Sequence, residues 1–202
     1  MDSEQRERGR CDGTEHVVLL DHDGEPIGSL PKAQVHGVET PLHQAFSVYV
    51  FDPAGRFLVT RRALDKPTWA GTWTNSCCGH PEPGEPVAEA ALRRLRQELG
   101  LVPTALELVL PDFAYRARSP EGLMENERCP VFTAVVQTDP QPDPAEVVQW
   151  RWEEWPRFTE LTRTSPWAVS PWSVWQVEQL SQVGRSADRS EVPPRVPAQH
   201  RA

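Results

Sequence analysis

The sequence predicts an α+β chain, built as a mixed α/β/α sandwich in a single domain. Three observations carry that expectation: β-rich runs paired around polar turns, one clear amphipathic helix mid-chain, and further β-rich runs leading to a closing helix. The first pair is EHVVLLDHDGEPIGSL, a strand, a DHDG turn and a returning strand. The second is AFSVYVFDPAGRFLVTRRA, with two β-rich runs around Asp52-Pro53-Ala54-Gly55. ALDKPTWAGTW follows as a loop whose Trp69 and Trp73 suit either a pocket wall or the core. In PVAEAALRRLRQELG, Ala88, Leu92, Leu95 and Leu99 recur at helical spacing and Gly100 is placed to cap the end. Arg94 and Glu98 are four apart and share one face. LELVL, DFAYRAR, ENERCPVFTAVVQ and VVQWRWEEW read as strands, and residues 171–180 as the final helix. The domain is expected over 15–183, between a flexible segment 1–14 and a Pro- and charge-rich tail 184–202 expected to be disordered.

At 202 residues the chain is long enough for one well-packed core. A net charge of −8 with no Lys/Arg-rich face argues against nucleic acid as a partner. No apolar run reaches the roughly 18 residues that span a bilayer, and MDSEQRERGR lacks a signal-peptide core. The expectation is a cytoplasmic protein, monomer or homodimer, acting on a small molecule. Cys11, Cys77, Cys78 and Cys129 make no disulfide framework at this length and read as reduced thiols. Two of them are adjacent in TNSCCGHPEPGE, too close for an unstrained bond to each other.

From Gly79, five residues precede Glu85, and seven more lead to Arg93-Arg94-Leu95-Arg96-Gln97-Glu98-Leu99-Gly100-Leu101. This resembles the Nudix box, a glycine loop and helix whose carboxylates gather on one face to hold Mg²⁺ against a diphosphate. Arg94 and Gln97 stand where that pattern has glutamates, leaving Glu98 alone. A water-activating cluster is therefore broken, while the Nudix-type sandwich is retained as the expected fold.

The departures match one branch, the type I isopentenyl-diphosphate Δ-isomerases, through TNSCCGHP, ENERCPVF, SPWAVSPW, TRRAL-x-K-x-x-W and H-x6-H in the family's order. The resemblance implies a divalent metal (Mn²⁺, Zn²⁺ or Mg²⁺) on His36, His43, His80, Glu125 and Glu127. Three imidazoles and two carboxylates suit an octahedral site, and residues two apart on a strand face one side. His16, His22 and His200 receive no role.

The implied reaction converts isopentenyl to dimethylallyl diphosphate, protonating C4 and removing a proton from C2 through a carbocation-like centre. That chemistry needs an acid, a base and exclusion of nucleophiles. By resemblance Cys78 and Glu127 serve the two faces, with Tyr115 as hydrogen-bond partner and the Trp172 indole facing the cation. Lys32, Arg62, Lys66 and Arg94 are implied to contact the diphosphate, and Glu98 to help hold its Mg²⁺. The chain's two lysines thus both fall at phosphate positions. The alternatives rank lower. A Nudix-type diphosphate hydrolase lacks its glutamates, a structural zinc module lacks paired ligand spacing, and a thiol nucleophile enzyme would spend His80 as a base.

Overall fold

The β-rich runs pair as their turns dictate. In the computed structural model, which describes residues 15–187, β1 (His16–Leu20) and β2 (Pro26–Pro31) are antiparallel. Residues 1–14 and 188–202, with Cys11 and His200, lie outside the described residues. A single unanticipated turn, α1 (Lys32–Val35), leads to β3 (His43–Gln44). β4 (Phe46–Phe51) and β5 (Arg56–Arg62) flank Asp52, whose carboxylate accepts from Ala54 N and Arg56 N at 3.0 and 2.8 Å and closes the turn. After the Trp69 loop the chain adds two short strands, β6 (Trp73–Thr74) on β5 and β7 (Cys77–Gly79) on β4.

Next come α2 (Val87–Leu99), β8 (Ala105–Leu110), β9 (Ala114–Arg118), β10 (Met124–Arg128), β11 (Val131–Val135) and β12 (Val147–Glu154). ENERCPVFTAVVQ thus supplies two strands, because Pro130 breaks the run between β10 and β11. α3 (Trp155–Thr164), of which only Trp155 falls within the expected strand VVQWRWEEW, begins with Pro156 in its first turn. A 3₁₀ turn (Pro166–Ala168) precedes α4 (Pro171–Ala187), which runs past residue 180.

Two sheets result, ordered β2-β1-β3-β10-β9 and β12-β5-β4-β11-β8. The second is mixed, since β11 runs parallel to β4 and antiparallel to β8. Both faces of β4 are buried. Phe46, Val48 and Val50 pack with Leu95 and Leu99 of α2, while Tyr49 and Phe51 pack with Trp155, Phe158 and Val177 of α3 and α4. That is the expected sandwich of helix, sheet and helix.

The predicted apolar stripe of α2 is corrected in part. Leu95 and Leu99 are fully buried, but Ala88 and Leu92 face outward. The rest of the buried face is Ala90, Ala91, Arg94 and Glu98. The buried face is turned toward the cleft, where it takes in the Arg94–Glu98 ion pair and leaves Ala88 and Leu92 outside. Gly100, at φ +64, caps the helix in the left-handed conformation and donates to Arg96 O at 3.1 Å.

Candidate active site

Where the two sheets meet, strand register lines up three side chains. Glu127 on β10 pairs with His43 on parallel β3 and with Tyr115 on antiparallel β9. The period of two places Glu125 and Glu127 in the same cleft, both buried. His36 ends α1 and His80 follows β7, which brings the three imidazoles within 5.2–5.8 Å of one another between ring centres.

Ligand atoms of His36, His43, His80 and Glu127 all lie within 4.8 Å of each other. His80 Nε2 is 3.2 Å and His43 Nε2 3.5 Å from Glu127 Oε1, while His36 Nε2 approaches Glu125 Oε2 at 2.7 Å. His43 Nδ1 sits 2.9 Å from the Pro41 carbonyl, which can only accept, so that nitrogen carries the proton and Nε2 is left to the cluster. His36 Nε2, His43 Nε2, His80 Nδ1 and Glu125 Oε2 are buried without a well-formed hydrogen bond. Buried polar atoms left unpaired are costly, and a cation would satisfy the unpaired His36, His43 and Glu125 atoms. The donor set fits a divalent metal.

Burial pushes the Glu127 carboxyl up, but His43 and His80 together hold it well below the usual range. Burial also presses both imidazoles down. Glu127 outweighs it at His43, which ends above its ordinary value, and does not at His80, which ends below.

The cleft, about 410 Å³, is lined by every sequence-assigned site residue except His43, which is fully buried. Cys78 points in from β7 opposite Ser47 of β4, and its sulfur lies 3.3 Å from Ser47 Oγ and 3.2 Å from Asn75 Oδ1. Burial pushes this thiol up to about 12. Trp172, at the start of α4, meets Trp69 edge-on at 5.1 Å and tilts toward Tyr115 at 5.8 Å. The Trp69 backbone is left-handed at φ +46, an unusual conformation for such a residue, beside this aromatic wall. The Arg62 guanidinium stands 5.7 Å over the Trp172 ring and is held by the Thr68 carbonyl.

At the other end lie the remaining three cations, Lys32, Lys66 and Arg94. Lys32 pairs with Glu15 at 2.6 Å and Lys66 with Glu146. Arg94 contacts Glu98, Glu15 and Glu146 at 2.6, 2.9 and 3.2 Å. Burial pushes Glu98 up, and the Arg94 charge opposes that without cancelling it. Glu98 therefore belongs to the cationic end and not to the histidine cluster. Gly79 lets α2 come this close, since a Cβ there would meet Phe46 at 2.9 Å and Arg94 at 3.0 Å.

Sequence reasoning passed over Asn75, Ser47, Thr68, Glu15 and Glu146. Asn75 lies within TNSCCGHP. Nothing local marked Glu15 or Glu146, whose role arises only when the chain folds them against Arg94.

Comparison with known proteins matches the NUDIX domain over residues 41–174. An isopentenyl-diphosphate Delta-isomerase of Frankia alni is 57% identical over 176 residues, covering 87% of this chain and 89% of the relative. One from Clavibacter sepedonicus is 54% identical, covering 83% and 88%. The chain belongs to the isopentenyl-diphosphate Δ-isomerase family, within the Nudix superfamily. Its fold is also that of the crystal structure of DR0079 from Deinococcus radiodurans, with a TM-score of 0.64 at 17% identity, covering 82% of this chain and 98% of that one. In this family member the Nudix helix carries Arg94 and Gln97 in place of glutamates, and a separate histidine–carboxylate cluster stands at the junction of the sheets.

Proposed function

We infer that this chain interconverts isopentenyl and dimethylallyl diphosphate, adding a proton at C4 and removing one from C2. The observation that carries the reading is one cleft holding a half-buried thiol, a buried carboxylate and an aromatic wall, with four cations among its lining residues. His36, His43, His80, Glu125 and Glu127 would hold one divalent ion, Mn²⁺, Zn²⁺ or Mg²⁺, and Glu98 the Mg²⁺ accompanying the diphosphate. Bound there, the ions supply positive charge that acidifies Glu127 and neutralises the phosphates.

The protein's own groups do the rest. Lys32, Lys66 and Arg94 exchange the carboxylates of Glu15 and Glu146 for phosphate oxygens. Arg94 cannot be deprotonated, so it holds the diphosphate and cannot activate water against it. Cys78 and Glu127 exchange protons with the two faces of the allylic fragment. Tyr115, the register neighbour of Glu127, would hydrogen-bond it. Trp172 and Trp69 offer ring faces that stabilise positive charge without attacking it, and their bulk keeps water from the cation. The same reading places the enzyme in the cytoplasm as a monomer or homodimer, for which sedimentation is the check.

The test separates isomerase from hydrolase. Purified protein with isopentenyl diphosphate and Mg²⁺ should form dimethylallyl diphosphate without releasing phosphate. A chelator should stop it, and added divalent metal should restore it. Phosphate release without the isomer would overturn the reading.

A further inference from the structure

Asn75 has no part in the reaction described above, yet its side chain is wholly buried and touches two groups that do. The orientation of its amide is chemically forced. Val48 O and Cys77 O can only accept, so Nδ2 must face them, at 3.3 and 2.9 Å. The Trp172 indole N–H can only donate, so Oδ1 must face it, at 2.9 Å.

The same oxygen lies 3.2 Å from Cys78 Sγ. Thr74 Oγ1 at 2.9 Å and Ser173 Oγ at 3.4 Å also approach it. Those hydroxyls can satisfy one another in a closed ring, Thr74 to Ser170 at 2.8 Å, Ser170 to Ser173 at 2.8 Å, and Ser173 back to Thr74 at 3.3 Å. With the hydroxyls closed in that ring, the second lone pair of Oδ1 is open to the thiol. On the far side of the sulfur, Gln176 Nε2 donates to Ser47 Oγ at 2.9 Å, with Tyr49 O–H donating to Gln176 Oε1 at 3.0 Å. The Ser47 proton is thereby directed to a sulfur, Cys78 at 3.3 Å or Cys129 at 3.4 Å.

We propose that Asn75 is a positioning residue for the isomerisation: one carboxamide oxygen, anchored through its own nitrogen to two backbone carbonyls, fixes the Cys78 thiol and the Trp172 indole relative to each other. The proposal rests on the roles given to Cys78 and Trp172 above. Asn75 is 0% exposed, so it acts through those two side chains and not on the substrate. Its loss should therefore appear in turnover and leave substrate affinity in place.

The test compares Asn75→Ala, Trp172→Phe and the double variant in the metal-loaded enzyme, with melting temperature and metal content measured alongside. Asn75→Ala should lower kcat by about 100-fold, the scale of a misplaced reacting group, with KM within about threefold of wild type. Trp172→Phe, which keeps a ring and removes the N–H, should lower kcat less, again at unchanged KM. The double variant should fall clearly short of the product of the two single losses, because both changes break the hold of one atom. A folded Asn75→Ala enzyme with near-wild-type kcat, a loss carried by KM, or multiplying effects would overturn the proposal. Should Asn75→Ala fail to fold, Asn75→Ser is judged by the same outcomes, and a folded Trp172→Phe enzyme with unchanged kcat overturns it independently. No turnover in the wild-type chain would overturn the isomerase reading itself.

Discussion

On β7 the alternation of the backbone turns Cys77 into the apolar layer against α2 and Cys78 into the cleft between Ser47 and Asn75. Chemistry separates the pair as cleanly as geometry does. Cys77 is packed among Phe46, Val48 and Leu95, with its sulfur 4.0 Å from the Cys78 carbonyl, whereas the Cys78 sulfur meets the Ser47 and Asn75 side chains and lies beside Tyr115 and Trp172. Cys77→Val conserves apolar bulk and should cost under about 1.5 kcal/mol of stability with turnover unchanged. Cys78→Ala should lose turnover by on the order of 10²- to 10⁴-fold, the usual worth of a proton-transfer group, with its unfolding transition intact. Steady-state kinetics beside thermal unfolding checks both. A folded Cys78→Ala enzyme with normal turnover would remove the thiol from the mechanism, and an inactive Cys77→Val enzyme would mean the wrong cysteine had been chosen.

Among the elements, α2 shows why spacing alone misjudges a helix beside a site. Its cleft-facing side is buried but charged, so the buried face is rotated to take in Arg94 and Glu98 and to leave Ala88 and Leu92 outside. Leu95→Ala should then cost about 2–5 kcal/mol, as a large-to-small change in a packed core does. Leu92→Ala, at a position 37% exposed, should stay within about 0.5 kcal/mol. Denaturant titration distinguishes them, and equal losses would contradict the burial described. Local signals that depend on a short window were legible: the turn at Asp52, the cap at Gly100, and the shared face of Glu125 and Glu127. α3 was not, because Trp152 to Trp155 continues a β-rich run and the helix is decided by its packing on β4 and β5. The cut between β10 and β11 turns on Pro130, which sends one half of ENERCPVF to each sheet.

At the scale of the molecule, the site exists because two sheets meet. β3 and β10 deliver His43 and Glu127, α1 and β7 deliver His36 and His80, and α4 brings Trp172 over Asn75. None of the three histidines carries a signal on its own; their order along the chain with TNSCCGHP and ENERCPVF made the set readable. Glu15 and Glu146 stayed invisible, since only tertiary contact sets their charge against Lys32, Lys66 and Arg94. The central claim is that this cleft moves a double bond by proton exchange and leaves the diphosphate whole. The most direct measurement is NMR of isopentenyl diphosphate turned over by the metal-loaded protein in D₂O. Dimethylallyl diphosphate carrying deuterium in its new methyl group is the predicted result; inorganic phosphate, or an isomer formed without deuterium, would contradict the account.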